Sequence, residues 1–224
     1  MPPMPPMPPM ILVLVMGTAV AGLLAAEWAD SKVAIGATKM TAATTFVVVA
    51  LSCGALESLY GQILLLGLAL CWLGDACLLS SGQSTGFQLG IGSFLLGHLA
   101  YAVAFLQLGI DPIGLAAGGL LMSGFAAGTL YWLRPHVSDD FQVAVMSYVG
   151  VISLMVACSI GVVVAGGPPI VAIGAIGFTL SDISVARARF VSPGFINAAW
   201  GLPLYFASQF LLATSAAFAR PAIS

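Results

Sequence analysis

Two carboxylates, Asp75 and Asp182, interrupt otherwise apolar runs, "LLLGLALCWLGDACLL" and "GAIGFTLSDISVA". An ionisable side chain at membrane depth costs roughly 2.5 to 3.5 kcal/mol or more, so it persists where a cavity, a partner or chemistry repays that cost. Two acids facing one another can divide roles, one protonated and one ionised, which supplies an acid and a base from a single residue type. A purely structural reading, in which each acid only bonds a neighbouring helix, accounts poorly for two of them at matched depth.

The elements that must carry these acids follow from composition. Of 224 residues, 60% are hydrophobic and 6% charged, against about 25% charged in soluble domains. Apolar stretches long enough for a hydrocarbon core of ~30 Å cover nearly the whole chain. Breaks at Gly, Pro, Ser and charged residues predict an all-α, polytopic membrane bundle of eight helices near 11–26, 33–51, 60–80, 87–107, 112–133, 141–164, 170–186 and 195–218. Short loops make successive helices antiparallel neighbours in one domain, 11–219. The opening "MPPMPPMPPM" reads as an extended, disordered leader over 1–10, and 220–224 as a short tail. The run after it lacks a basic flank and leads straight into further spans, so it reads as the first helix and not as a signal peptide.

Net charge is −2 without basic clusters, which excludes nucleic acid as a partner. Cys53, Cys71, Cys77 and Cys158 lack metal-ligand spacing and read as small buried hydrophobes. Gly114/Gly118 and Gly124/Gly128 on the fifth helix have small-xxx-small spacing for close helix contacts. Pro203, two residues before Tyr205, should loosen the last helix beside a cavity. Lys32, Arg134, Arg187 and Arg189 fall in the loops after odd-numbered helices, and only Arg220 lies opposite. The odd loops are therefore expected in the cytoplasm and both termini outside.

Depth can be counted at about 1.5 Å of rise per residue, which places Asp75 ~7 to 8 Å before the end of helix three and Asp182 at a similar level on helix seven. Lys39 on helix two, Tyr148 on helix six and Asn197 on helix eight enter from the same side, and His98 lies deeper on helix four. Six helices thus aim polar groups into one half of the membrane. His98 and Tyr101 share a face in "GHLAY"; Tyr205 and Gln209 share another, as do Asn197 and Gly201. Arg189 follows Asp182 by seven residues on nearly the same face, whereas Arg187 points elsewhere as an anchor. A bland alternative exists for each: Lys39 could snorkel to the interface, His98 could be a packing residue, and Arg189 could be an ordinary positive-side anchor. His136 is the only other His and lies in a loop, so no metal site is expected. The spacing also carries an internal echo, because Asp75 and Asp182 are 107 residues apart while Gly97-x3-Tyr101 and Gly201-x3-Tyr205 are 104 apart. A parallel duplication of four helices would produce it.

Leu73-Gly74-Asp75, "FLLGHLAY" over 94–101, "SDISVARARF" over 181–190 and "YFASQ" over 205–209, in that order, resemble the motifs of the YhhN-type family of membrane lysoplasmalogenases. The departures are Lys39-Met40, where the family often has Lys-Pro, and Ser208-Gln209, where Ala-Gln is usual. The resemblance implies hydrolysis of the sn-1 vinyl ether of a lysophospholipid substrate, lysoplasmalogen, to a fatty aldehyde and glycerophosphocholine or glycerophosphoethanolamine. Under it, Asp75, Asp182 and His98 are the expected catalytic residues. Lys39, Tyr101, Tyr148, Arg189, Asn197, Tyr205 and Gln209 are the expected substrate contacts. No cofactor, metal or protein partner is called for, and a bacterial inner membrane with the site on the cytoplasmic side is the expected location. The main rival is a small-solute or proton-coupled transporter, since paired acids and a His can form a proton relay. An intramembrane aspartyl protease ranks last, because Trp72-Leu73-Gly74-Asp75 stands where that class resembles GxGD.

Overall fold

The computed structural model describes residues 8–79 and 85–219. Eight helices long and apolar enough to cross a membrane account for nearly all of them: α1 (Met10–Trp28), α2 (Lys32–Ser52), α3 (Leu59–Cys77), α4 (Thr85–Leu106), α5 (Pro112–Leu133), α6 (Asp139–Val164), α7 (Pro169–Ala186) and α8 (Phe195–Ser215). The chain is an all-α integral membrane protein. Each boundary falls within three residues of its expected place. Most of the expected leader (1–7) and the tail 220–224 lie outside the described residues.

Local chemistry sets the helix ends. Ser58 caps α3 by accepting from the Gly61 amide at 3.0 Å, and Asp111 caps α5 by accepting from the Gly114 amide at 2.7 Å with Pro112 in the first turn, which satisfies donors that a helix start leaves orphaned. Gly109 and Gly166 close two of the turns with φ of 81° and 88°, a conformation that favours glycine. Inside the bundle, hydroxyls bond back to carbonyls of their own helix, as Thr45 does to Thr41 at 2.8 Å, so few polar groups face lipid unpaired.

Helices α3, α4, α7 and α8 form two tight hairpins, and glycine permits the closeness. A methyl group at Gly97 would lie 2.8 Å from Cys71 Sγ and 3.2 Å from the Gly67 carbonyl oxygen. In the second hairpin Gly201 approaches Ser184 and Gly177 approaches Ser208 more closely still. Of the two glycine pairs on α5, Gly114 and Gly118 pack against Val164 and Ala157 of α6, but a methyl at Gly124 or Gly128 would meet nothing within 4 Å. That half of the expected small-residue contact is absent because α5 packs chiefly against α6 and leaves its other face outward. Helix α8 runs through Pro203 without ending. The last turn after α7 widens into a π-helical segment, Arg187–Val191, a deviation common beside functional sites.

Candidate active site

Helix α3 carries Asp75 into the bundle, where α2 and α8 supply its partners. Lys39 Nζ lies 3.2 Å from Asp75 Oδ1, and the Tyr205 hydroxyl donates to Asp75 Oδ2 at 2.7 Å. Helix α7 carries Asp182, with partners from α4 and α6: His98 Nε2 lies 3.3 Å from Asp182 Oδ2, and the Tyr148 hydroxyl donates to the same oxygen at 3.2 Å. Each acid is thus served by one helix of its own half of the chain and one of the other half. This cross-over is the pattern a four-helix duplication about a common axis would leave.

The tautomer of His98 follows from its neighbours. Its Nδ1 is 2.7 Å from the Phe94 carbonyl oxygen, which can only accept, so Nδ1 carries a proton. Nε2 faces Asp182 but forms no well-aligned hydrogen bond. In the neutral ring Nε2 is then the acceptor nitrogen, and it faces Asp182 across a short gap. Phe178, 4.3 Å from the imidazole between ring centres, and Tyr148 at 5.3 Å hold the ring in place.

A cavity of about 150 Å³ joins the two acids. One water needs about 10 to 15 Å³ on this measure, so the reacting end of a ligand and water fit together. Of the expected residues, Lys39, Asp75, Tyr148, Asp182, Arg189 and Tyr205 line it. The remaining wall is mostly apolar and includes Phe125 of α5 and Ile152 of α6. At one end the Arg189 guanidinium lies 4.4 Å above the ring of Phe87, a cation–π contact that fixes a long side chain. The Asp182 side chain is 15% exposed and that of Asp75 2%, so Asp182 is the more open of the two.

His98, Tyr101, Asn197 and Gln209 are buried and do not line the cavity. Asn197, expected at the substrate, instead accepts from Arg187 Nη1 at 2.6 Å and donates to the Ser192 and Gly194 carbonyls at 2.8 and 3.2 Å. It ties down the bend between α7 and α8 that presents Arg189. Arg187 is the inner half of that clamp, not a free anchor. Tyr101 donates to Gln209 Oε1 at 2.8 Å, and Gln209 Nε2 donates to the Tyr205 hydroxyl at 3.3 Å. Both sit behind Asp75.

Sequence reasoning missed Phe87, Phe178 and Glu27. The two Phe residues give no signal among twelve Phe in the chain. Glu27 lies near the end of α1, within electrostatic reach of Lys39, and its place late in an apolar helix was the available clue. Among the described residues, no group of three or more His, Cys, Asp or Glu side chains is placed to hold a metal ion.

A membrane protein with eight spans among the described residues and two carboxylates on one internal cavity, each braced by partners from two other helices, is the class defined by fold and site. The chain belongs to the YhhN family, whose sequence profile matches residues 34–216. It is 31% identical over 155 residues to a protein of Mycobacterium bovis named lysoplasmalogenase, a match covering 66% of this chain and 57% of that protein. It is 32% identical over 162 residues to the Bos taurus protein named lysoplasmalogenase TMEM86A, covering 69% and 65%, and 31% identical over 160 residues to the Homo sapiens protein of the same name, again covering 69% and 65%. The matched region thus spans about three fifths of the length of these relatives. No solved structure matches the chain significantly.

Proposed function

We propose that this protein is a membrane hydrolase that cleaves the sn-1 vinyl ether of lysoplasmalogens, using Asp75 and Asp182 as its acid/base pair. The observation that carries the reading is the shared cavity, lined by both carboxylates and by Arg189. The names of the relatives supply the substrate class. A vinyl ether breaks when a proton is added to its outer alkenyl carbon: the double-bond electrons form the new C–H bond there, and the ether carbon, left electron-poor, shares the oxygen lone pair as an oxocarbenium ion. Water adds to that carbon and gives up a proton; the hemiacetal then loses the glycerol oxygen, which takes a proton, and a fatty aldehyde departs. One protonated carboxyl and one carboxylate suffice, the carboxylate stabilising the cation and receiving the proton of water, as paired acids do in glycoside hydrolysis.

The remaining side chains take supporting roles. His98 and Tyr148 orient Asp182, and the apolar wall between α5 and α6 receives the alkenyl chain. Lys39 is engaged by Asp75, so the lipid phosphate falls to Arg189 at the end of the cavity near the positive loops, where planar guanidinium donors suit it. By the distribution of Lys and Arg this end faces the cytoplasm, and a bacterial inner membrane is the proposed setting.

Purified protein in detergent should release aldehyde from lysoplasmalogen. Release of fatty acid from the ester analogue alone would redirect the reading to a lysophospholipase, and solute uptake into proteoliposomes without lipid breakdown would select a transporter. Arg189→Gln is expected to raise KM about tenfold with kcat little changed, since a contact made equally in the ground and transition states affects binding alone. Steady-state kinetics at several lipid concentrations check this.

A further inference from the structure

We propose that the hydrogen-bonded row Tyr101, Gln209, Tyr205 holds Asp75 as the ionised member of the pair, with Gln209 as a positioning residue, which leaves Asp182 to carry the catalytic proton. This deepens the hydrolase reading and rests on it for its kinetic consequence.

The row can be polarised in two ways only. Each Tyr has one proton, and the amide has a donor end and an acceptor end. In the first polarity Tyr101 donates to Gln209 Oε1, Gln209 Nε2 donates to the Tyr205 oxygen, and Tyr205 donates to Asp75 Oδ2, at 2.8, 3.3 and 2.7 Å. The row then ends on Asp75 Oδ2, and Oδ1 faces Lys39 Nζ at 3.2 Å, so both oxygens meet donors and neither meets an acceptor for a carboxyl proton, which makes Asp75 a carboxylate. In the reverse polarity Asp75 is protonated and donates to Tyr205, the amide is turned over, and the last proton, that of Tyr101, goes to Cys71 Sγ at 3.7 Å. A thiol is a weak acceptor, whereas a hydroxyl bond to a carboxylate is charge-assisted and about twice as strong as a neutral one. The ammonium of Lys39 favours the same end. Amide orientation is assigned by its network, and this network selects the first polarity.

Geometry at Asp182 completes the division. Its side chain is the more open to the cavity, and its second partner is a His whose Nδ1 is already committed to Phe94. A proton spent on the alkenyl carbon leaves from Asp182. Asp75, ionised at the start, accepts the proton of the attacking water through Oδ1 or Oδ2.

Two variants test Gln209. The groups facing this amide are the Tyr101 and Tyr205 hydroxyls and the Cys71 thiol, with Asp75 beyond Tyr205. Gln209→Met removes the row's link; kcat should fall about tenfold while KM stays within about twofold, the size expected for the loss of one buried neutral hydrogen bond. Gln209→Glu restores a donor only when the introduced carboxyl is protonated. It should exceed Gln209→Met about tenfold in acidic buffer and lose that advantage in alkaline buffer, a change that a merely structural role would not produce. Wild-type kcat in Gln209→Met, or equal rates for the two variants at every pH, would overturn the role of Gln209.

Infrared difference spectra decide the proton placement without turnover. Asp75→Asn should remove a carboxylate stretch from the wild-type spectrum and Asp182→Asn a protonated carboxyl stretch; the opposite assignment sinks the inference. If no aldehyde is released from any lipid, the hydrolase reading fails while the spectra still report which acid holds the proton.

Discussion

Asp182→Asn and Asp75→Asn are each expected to lower kcat by about 100-fold to 10,000-fold, the range for losing a positioned general acid or base. Asn matches Asp in shape and keeps hydrogen-bonding capacity, and in Asp75→Asn the Lys39 amine, 13% exposed, can turn toward water, so the bundle should still form. KM for lysoplasmalogen should change little, because neither acid is assigned to the phosphate. The double variant should be scarcely slower than the worse single one, since groups acting as a unit are grossly non-additive. Aldehyde release by folded, detergent-purified protein is the measurement. If both single variants turned over at the normal rate, the two-carboxylate mechanism would be abandoned.

Lys39→Met should be the most destabilising single change at the site. Asp75 is 1% exposed and its one cationic partner among the described residues is Lys39. Removing one member of a buried pair leaves an uncompensated charge and costs about 3 to 5 kcal/mol. Lys39→Met/Asp75→Leu removes both charges, so it should recover most of that loss and remain inactive. Unfolding of the three proteins in detergent, read as a double-mutant cycle, gives the coupling directly. A stable, fully active Lys39→Met would mean that Lys39 faces the bilayer surface and that the ion pair contributes nothing.

Much of the cavity's polar lining is legible in the sequence. Asp75, Asp182, Lys39 and Tyr148 stand out because a polar group inside an apolar helix is costly, and counting rise matches the depth of the two acids while Lys39 and Tyr148 enter from the same side; Arg189 follows Asp182 by seven residues on nearly the same face. Rise alone leaves rotation about each helix axis open. Asn197 and Gln209 therefore read as substrate contacts from sequence, while in the structure Asn197 bonds the bend after α7 and Gln209 bonds two tyrosines behind Asp75. Lys39 likewise reads as a substrate contact, and it is the packing of α2 on α3 that pairs it with Asp75.

The glycines make the same point. Gly114 and Gly124 carry identical spacing signals on α5, but the first pair meets α6 and the second meets nothing, because the neighbour set of a helix is decided by the whole bundle. Sequence alone dictates that this chain folds as long apolar helices with two costly acids inside them, since hydrocarbon admits only helices and closed barrels, the length of the apolar runs selects helices, and charge is penalised wherever it occurs. Tertiary packing alone decided which partner each acid meets: hydrogen bonds act over about 3 Å, and only the mutual rotation and crossing of the helices sets distances that fine.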